Sequence, residues 1–152
     1  MNRLHVVLMV IAYAVLGSHA AGLANAPQAE QVKQGKGATA LVAVAGRRFG
    51  SAFCITDAGH FITCEHVVRG TPIGDEVTLV LAPGEKEQRV VKATLLRADS
   101  DLDLALLKVE GGKNPTALAV GDTMKLVETS EIVAFGFPFG TSLSANLTFS
   151  AR

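Results

Sequence analysis

Several common features are scarce in this 152-residue chain, and each absence narrows what the protein can be. Tryptophan is absent, aromatic residues make up 5% of the sequence, and there are two cysteines, Cys54 and Cys64. Two cysteines do not make a multi-disulfide framework. Net charge is lacking too, because 14 basic and 14 acidic residues cancel. Since phosphate binding needs a concentrated basic surface, we expect no nucleic-acid partner. The 49% of hydrophobic residues is typical of a globular domain.

The first 24 residues differ in composition from the rest. Arg3 precedes an unbroken apolar run over residues 6–16, and small residues allow cleavage near Ala20 or Ala24. A membrane-spanning helix needs about 18 or more apolar residues, so this run is short. Residues 1–24 are therefore predicted to be the signal peptide of an exported chain. We expect no stable membrane insertion unless this segment stays uncleaved as an anchor.

The rest of the chain has the pattern of an all-β protein. Residues 25–37 are polar and small and are predicted to form a flexible leader. No convincing helical periodicity follows. Short runs rich in Val, Leu and Ile predict six strands, at residues 39–45, 51–56, 61–63, 77–81, 89–96 and 104–109. Their number and spacing are typical of an antiparallel barrel or sandwich. A Gly- and Pro-containing cluster at residues 111–115 marks a boundary, and two more strands are predicted at 131–135 and 146–150.

One histidine and one group of acids could carry chemistry. His66 follows a hydrophobic strand, and an imidazole can act as a general base when an acid orients it. The candidate acids are Asp99, Asp101 and Asp103. Asp103 opens an apolar strand, where a partly dehydrated carboxylate needs a partner such as a histidine N–H. Spacing alone leaves open a solvated acidic turn and a partly buried histidine at a strand end.

The cysteines allow three interpretations. Cys54, His60, Cys64 and His66 offer four potential zinc ligands on one hairpin, although their spacing is not that of a zinc knuckle. A disulfide between the two cysteines depends on the register of the hairpin. Otherwise both are small hydrophobic residues of the core.

Three segments resemble HtrA/Deg-like, trypsin-like serine proteases. Residues 50–68 resemble the segment around the catalytic histidine of that family, residues 103–108 its D-L-A-x-L-K strand, and residues 132–140 its V-x-A-I-G-x-P-F-G segment. The resemblance implies a chymotrypsin-like double β-barrel, with a nearly complete first barrel at 38–112 and the start of a second at 113–152. Cys64, Glu65 and Ala52 depart from the usual Asn, Ala and Gly.

The resemblance also implies a function. The chain would belong to a serine endopeptidase that cleaves proteins or peptides in the bacterial periplasm or outside the cell, without cofactor or metal. His66 would be the general base and Asp103 the acid of the triad. The G-x-S-G-G motif of the family, with its nucleophile and oxyanion hole, does not occur in the 152 residues. We therefore expect no nucleophile in this chain and no activity from the chain alone. A non-catalytic, binding pseudoprotease is the alternative.

Overall fold

The computed structural model describes residues 25–44, 48–111, 116–125, 127–128, 130, 132–137 and 148–151. The predicted signal peptide and the predicted domain boundary at residues 112–113 lie outside these residues. Contacts divide the chain into two compact units, residues 1–33 and residues 34–152. All the strands described below lie in the second unit.

Residues 25–37 differ from the expected flexible leader. Helix α1 covers Asn25–Ala38. Ala, Gln, Glu and Lys are good helix formers, and Pro27 lies in the first turn, where no backbone N–H is needed. The helix has no apolar stripe, so hydrophobic periodicity could not reveal it. In the part of the chain that is described, no helix combines the length and the apolar character needed to cross a membrane.

Six antiparallel strands form a closed barrel. They are β1 (Thr39–Val44), β2 (Arg48–Thr56), β3 (His60–Thr63), β4 (Glu76–Leu81), β5 (Arg89–Asp99) and β6 (Leu104–Val109). Around the barrel their order is β1-β2-β3-β6-β5-β4, and β1 closes the circle by pairing with both β2 and β4. The predicted all-β class is confirmed, and each predicted strand overlaps an observed one.

The barrel core is aliphatic, in keeping with the scarcity of aromatic residues. Alternate side chains of each strand point inward, as the two-residue period of a strand requires. Among the described residues, Phe61 is the one aromatic residue in the group of largest fully buried side chains. The other members are aliphatic residues and one cysteine: Leu79, Leu95, Leu107, Val42, Val68 and Cys54. The core therefore fills the barrel with branched side chains rather than stacked rings.

A second, smaller sheet follows the barrel. A 3-10 helix (Thr123–Lys125) precedes β7 (Ile132–Phe135), which pairs with β8 (Thr148–Ala151) in antiparallel register. Hydrogen bonds from Leu118 and Phe137 join the described residues that follow the barrel to β2. The Leu118 N–H donates to the Cys54 carbonyl at 2.8 Å, and the Phe137 N–H donates to Ser51 Oγ at 2.7 Å. Strands β7 and β8 overlap the last two predicted strands, and residues 146–147 of the second prediction lie outside the described residues.

Candidate active site

The pairing of β3 with β6 explains why His66 and Asp103 meet. Thr63, the last residue of β3, lies opposite Ala105, the second residue of β6. Because the strands are antiparallel, the chain leaving Thr63 runs alongside the chain entering β6. His66 is three residues beyond Thr63 and Asp103 is two residues before Ala105. The register therefore brings two residues that are 37 positions apart into contact.

A short helix that the sequence did not predict carries His66. Helix α2 covers Glu65–Val68 and follows Cys64, whose backbone is extended. Val67 and Val68 are buried in the barrel core and hold this turn against the strands. β2 approaches α2 closely at Gly50, where a Cβ atom would lie 2.5 Å from Val67 Cγ2. A side chain at position 50 would therefore require Val67 of the histidine helix to move.

Asp103 is held in a tight loop between β5 and β6. Its φ is 51°, in the left-handed region that aspartate tolerates better than most residues. Asp99 organises the loop, since its Oδ1 accepts the backbone N–H groups of Asp101 at 3.1 Å and Leu102 at 3.0 Å. The acidic cluster thus has divided roles: Asp99 shapes the turn, Asp101 is exposed, and Asp103 faces His66.

Two hydrogen bonds join His66 and Asp103. His66 Nδ1 lies 2.7 Å from Asp103 Oδ2, and the His66 backbone N–H donates to Asp103 Oδ1 at 2.9 Å. An ionised carboxylate can only accept, so Nδ1 carries the proton that it donates. In the neutral ring, Nε2 then keeps a free lone pair. The two side chains are 58% and 47% exposed, so solvent reaches the pair.

The surroundings of Asp103 favour its charged form. The hydrogen bond from the His66 backbone N–H is the largest cause of a lowered pKa for Asp103, followed by the bond from the His66 ring. The charge of Arg69 acts in the same direction. Arg69 itself donates to Glu65 Oε2 at 2.7 Å and 3.1 Å, and this contact raises the pKa of Arg69. The buried carboxylate of Glu65 on the histidine helix is therefore paired with the positive charge of Arg69.

The hairpin does not assemble the four zinc ligands that the sequence offered. Cys54 is fully buried opposite Phe61, and His60 contacts Thr56 Oγ1 through Nδ1 at 2.8 Å. Cys64 is exposed and lies beside His66 and Asp103. Both thiols are free, so the possible disulfide is not formed. Burial, followed by the charge of Asp103, raises the pKa of Cys64.

Comparison with known proteins places the chain in a family. A family model described as a trypsin-like peptidase domain matches residues 50–150, about two thirds of the sequence. This chain belongs to the trypsin-like peptidase family. The chain is 39% identical over 94 residues to a probable periplasmic serine endoprotease DegP-like of Halomonas elongata, and 38% identical over 92 residues to one of Brucella suis.

These matches cover 62% and 60% of this chain, but 18% and 17% of the relatives. The matched part of the chain thus spans less than a fifth of the length of those proteins. Among solved structures, an HtrA-type protease AlgW with tripeptide matches with a TM-score of 0.67 and 26% identity, over 80% of this chain and 38% of that chain. The HtrA/Deg-like resemblance and the chymotrypsin-like fold, with a partial second barrel, are confirmed.

Proposed function

We propose that this chain supplies the general base and the orienting acid of a serine endopeptidase. The observation that carries the proposal is the 2.7 Å contact between His66 Nδ1 and Asp103 Oδ2. A second bond, from the His66 backbone to the other carboxylate oxygen, fixes the carboxylate relative to the ring. Together with membership of the trypsin-like peptidase family, this geometry supports the proposal that His66 is the base and Asp103 the acid.

The chemistry follows from the tautomer that Asp103 imposes. With its proton on Nδ1, the neutral His66 ring presents the Nε2 lone pair to a serine hydroxyl. As that serine attacks a peptide carbonyl, His66 takes its proton and later donates the proton to the leaving amine. The imidazolium formed in between is stabilised by the Asp103 carboxylate, whose lowered pKa keeps it charged. Asp103 does not itself take up the proton.

We further propose that the 152 residues alone do not hydrolyse peptides. Their sequence contains no G-x-S-G-G segment, so neither the attacking hydroxyl nor the neighbouring N–H donors of an oxyanion hole can be assigned to them. Ser51, in the nearest Gly-Ser pattern, lies on β2 and accepts the Phe137 N–H. That bond gives Ser51 a structural role.

The compartment and the substrate class are inferred from relatives. The proteins from Halomonas elongata and Brucella suis are described as periplasmic serine endoproteases, and the AlgW structure is described with a tripeptide. The predicted signal peptide agrees with export. We therefore propose that the activity acts on proteins or peptides in the periplasm.

A chimaeric protease tests the assignment directly. This chain would replace the matching stretch of the Halomonas elongata relative, and turnover of a fluorogenic peptide would be measured. We expect turnover that falls about 10⁶-fold in His66→Ala and about 10⁴-fold in Asp103→Asn. His60→Ala is the matched control, because His60 contacts Thr56 rather than Asp103, and it should retain activity.

The 152-residue chain is assayed in parallel and should show no turnover. A folded chimaera that is inactive, or one whose activity survives His66→Ala, would contradict the proposal. The first result would favour the alternative of a binding module without catalysis.

A further inference from the structure

A third potential metal ligand lies beside the histidine–aspartate pair. The ligand atoms of Cys64, His66 and Asp103 all lie within 4.8 Å of one another. Among the described residues, this is the one group of at least three potential metal ligands that the fold brings together. Cys64 stands where the resembling proteases usually have asparagine, so the thiol departs from the usual pattern. The cluster also differs from the four ligands considered on the hairpin, since Cys54 and His60 are replaced by Asp103.

We propose that Cys64, His66 and Asp103 bind a divalent transition metal, with Zn²⁺ as the expected ion, and that the bound metal blocks the histidine. Thiolate, imidazole and carboxylate are the three ligand types that Zn²⁺ takes from proteins. A thiolate and a carboxylate together balance the two charges of the ion. Three protein ligands leave a fourth, solvent-facing position for water, as in zinc sites that are open on one side.

The distances are compatible with this ion after a small adjustment. In a tetrahedral zinc site, sulfur, nitrogen and oxygen ligands lie about 3.3–3.6 Å apart, given metal–ligand bonds of about 2.0–2.3 Å. His66 Nδ1 and Asp103 Oδ2 are 2.7 Å apart and must separate by less than about 1 Å. Both side chains are about half exposed, so they have room to rotate.

The carboxylate is already held by a second partner. Asp103 Oδ1 accepts the His66 backbone N–H at 2.9 Å, which leaves Oδ2 free to bind a metal once the ring turns away from it. Zinc-binding carboxylates are commonly fixed by such an outer hydrogen bond, and its loss weakens metal affinity. The backbone that positions the pair for proton transfer would thus also preorganise one ligand of the metal.

Metal binding and proton transfer would exclude each other. A metal on Nδ1 leaves the single proton of the neutral ring on Nε2, and Nε2 then has no lone pair with which to accept a serine proton. The metal would also replace the hydrogen bond to Asp103. This consequence rests on the proposed peptidase function, whereas metal binding itself does not.

Co²⁺ is a suitable probe because thiolate ligation gives it a charge-transfer band in the near ultraviolet. The 152-residue chain, kept reduced, would be titrated with Co²⁺ and then with Zn²⁺. We expect a thiolate band that Zn²⁺ abolishes by displacement. Cys64→Ser should remove the band, and His66→Ala and Asp103→Asn should each weaken Co²⁺ binding more than about tenfold.

Two matched controls separate this cluster from the rest of the hairpin. Cys54→Ala removes the buried thiol and His60→Ala the other ring, and both should keep the band. Far-ultraviolet circular dichroism of each variant, compared with that of the unchanged chain, establishes that it is folded. The proposal would be overturned if the folded chain gave no thiolate band, or if the band persisted in Cys64→Ser.

The effect on catalysis is measured separately in the chimaeric protease. Zn²⁺ should inhibit it, a chelator should restore the rate, and Cys64→Ser should require more than about tenfold more Zn²⁺ for half-inhibition of its own rate. A thiolate band without inhibition would refute the blocking of the histidine while leaving the metal site. An inactive chimaera that still gives the band would count against the peptidase function alone.

Discussion

Gly50 of β2 lies close against the histidine helix, and Gly50→Ala should disturb both the barrel and the helix. The new Cβ would lie 2.5 Å from Val67 Cγ2 and 2.7 Å from Cγ1. Carbon atoms in good contact are about 3.5–4.0 Å apart, so Val67 must move by about 1 Å. Valine is stiff at χ1, and the shift therefore passes to the backbone of α2.

The energetic cost can be estimated from two opposing effects. Overpacking a well-filled site costs about 1–3 kcal/mol. Replacing glycine by alanine in a strand gains about 0.5–1 kcal/mol from chain entropy. Taking the middle of each range, we expect a net loss of about 1 kcal/mol in the free energy of unfolding, measured by urea denaturation of the 152-residue chain. In the chimaeric protease, a 1 Å displacement of His66 should lower turnover about 10²-fold.

A double-mutant cycle tests the cause. Val67→Ala alone should lose about 1.6 kcal/mol for two buried carbons, but in the double variant the new methyl at position 50 occupies the vacated space. The combined loss should be smaller than the sum of the single losses by at least about 0.5 kcal/mol. Strictly additive losses, or a Gly50→Ala chain as stable as the original, would refute the close contact.

Two further predictions concern the core and the acid of the pair. Leu107→Ala, at a fully buried position of β6, should lower the free energy of unfolding in urea by about 2–5 kcal/mol. Leu104→Ala on the same strand, where the side chain is 45% exposed, should lower it by under about 1 kcal/mol. Equal losses would contradict the inward alternation of β6. The pKa of Asp103 is lowered on folding from its ordinary value of 3.8. The charged carboxylate therefore stabilises the folded chain above pH 3.8, and this stabilisation is lost as the pH falls through the lowered pKa. The stability lost in Asp103→Asn should therefore shrink as the pH falls below 3.8, and a difference that grows in this acid range would refute the sign.

The strands could be predicted because their signal is local. Alternation and flanking turn residues placed β6 at its observed bounds, and β4 within one residue. The two α-helices were not predicted, for different reasons. α2 has four residues, too few to show a 3.6-residue period, and α1 has no apolar face. A hydrophobic pattern reveals a helix only when the helix is long enough to repeat an apolar face, and neither of these helices shows such a repeat.

The site was harder to predict because it depends on pairing. Spacing could not distinguish Asp103 from Asp99 and Asp101. The apolar strand that Asp103 opens favoured it, and the resemblance implied the same residue. The structure supplies the physical reason, since the register of Thr63 with Ala105 places one of the three acids beside His66. The nearness of Cys64 to Asp103 was not predicted for the same reason. It depends on contacts between β3 and β6, which are distant in sequence.

The tautomer of His66 is the most direct test of the histidine–aspartate pair. ¹⁵N chemical shifts of the ring would be recorded on the folded 152-residue chain with the imidazole neutral, and assigned by the signals missing from His66→Ala. We expect the proton on Nδ1, an unprotonated Nε2, and loss of this preference in Asp103→Asn. A neutral ring with its proton on Nε2, or a preference that Asp103→Asn leaves unchanged, would contradict the account.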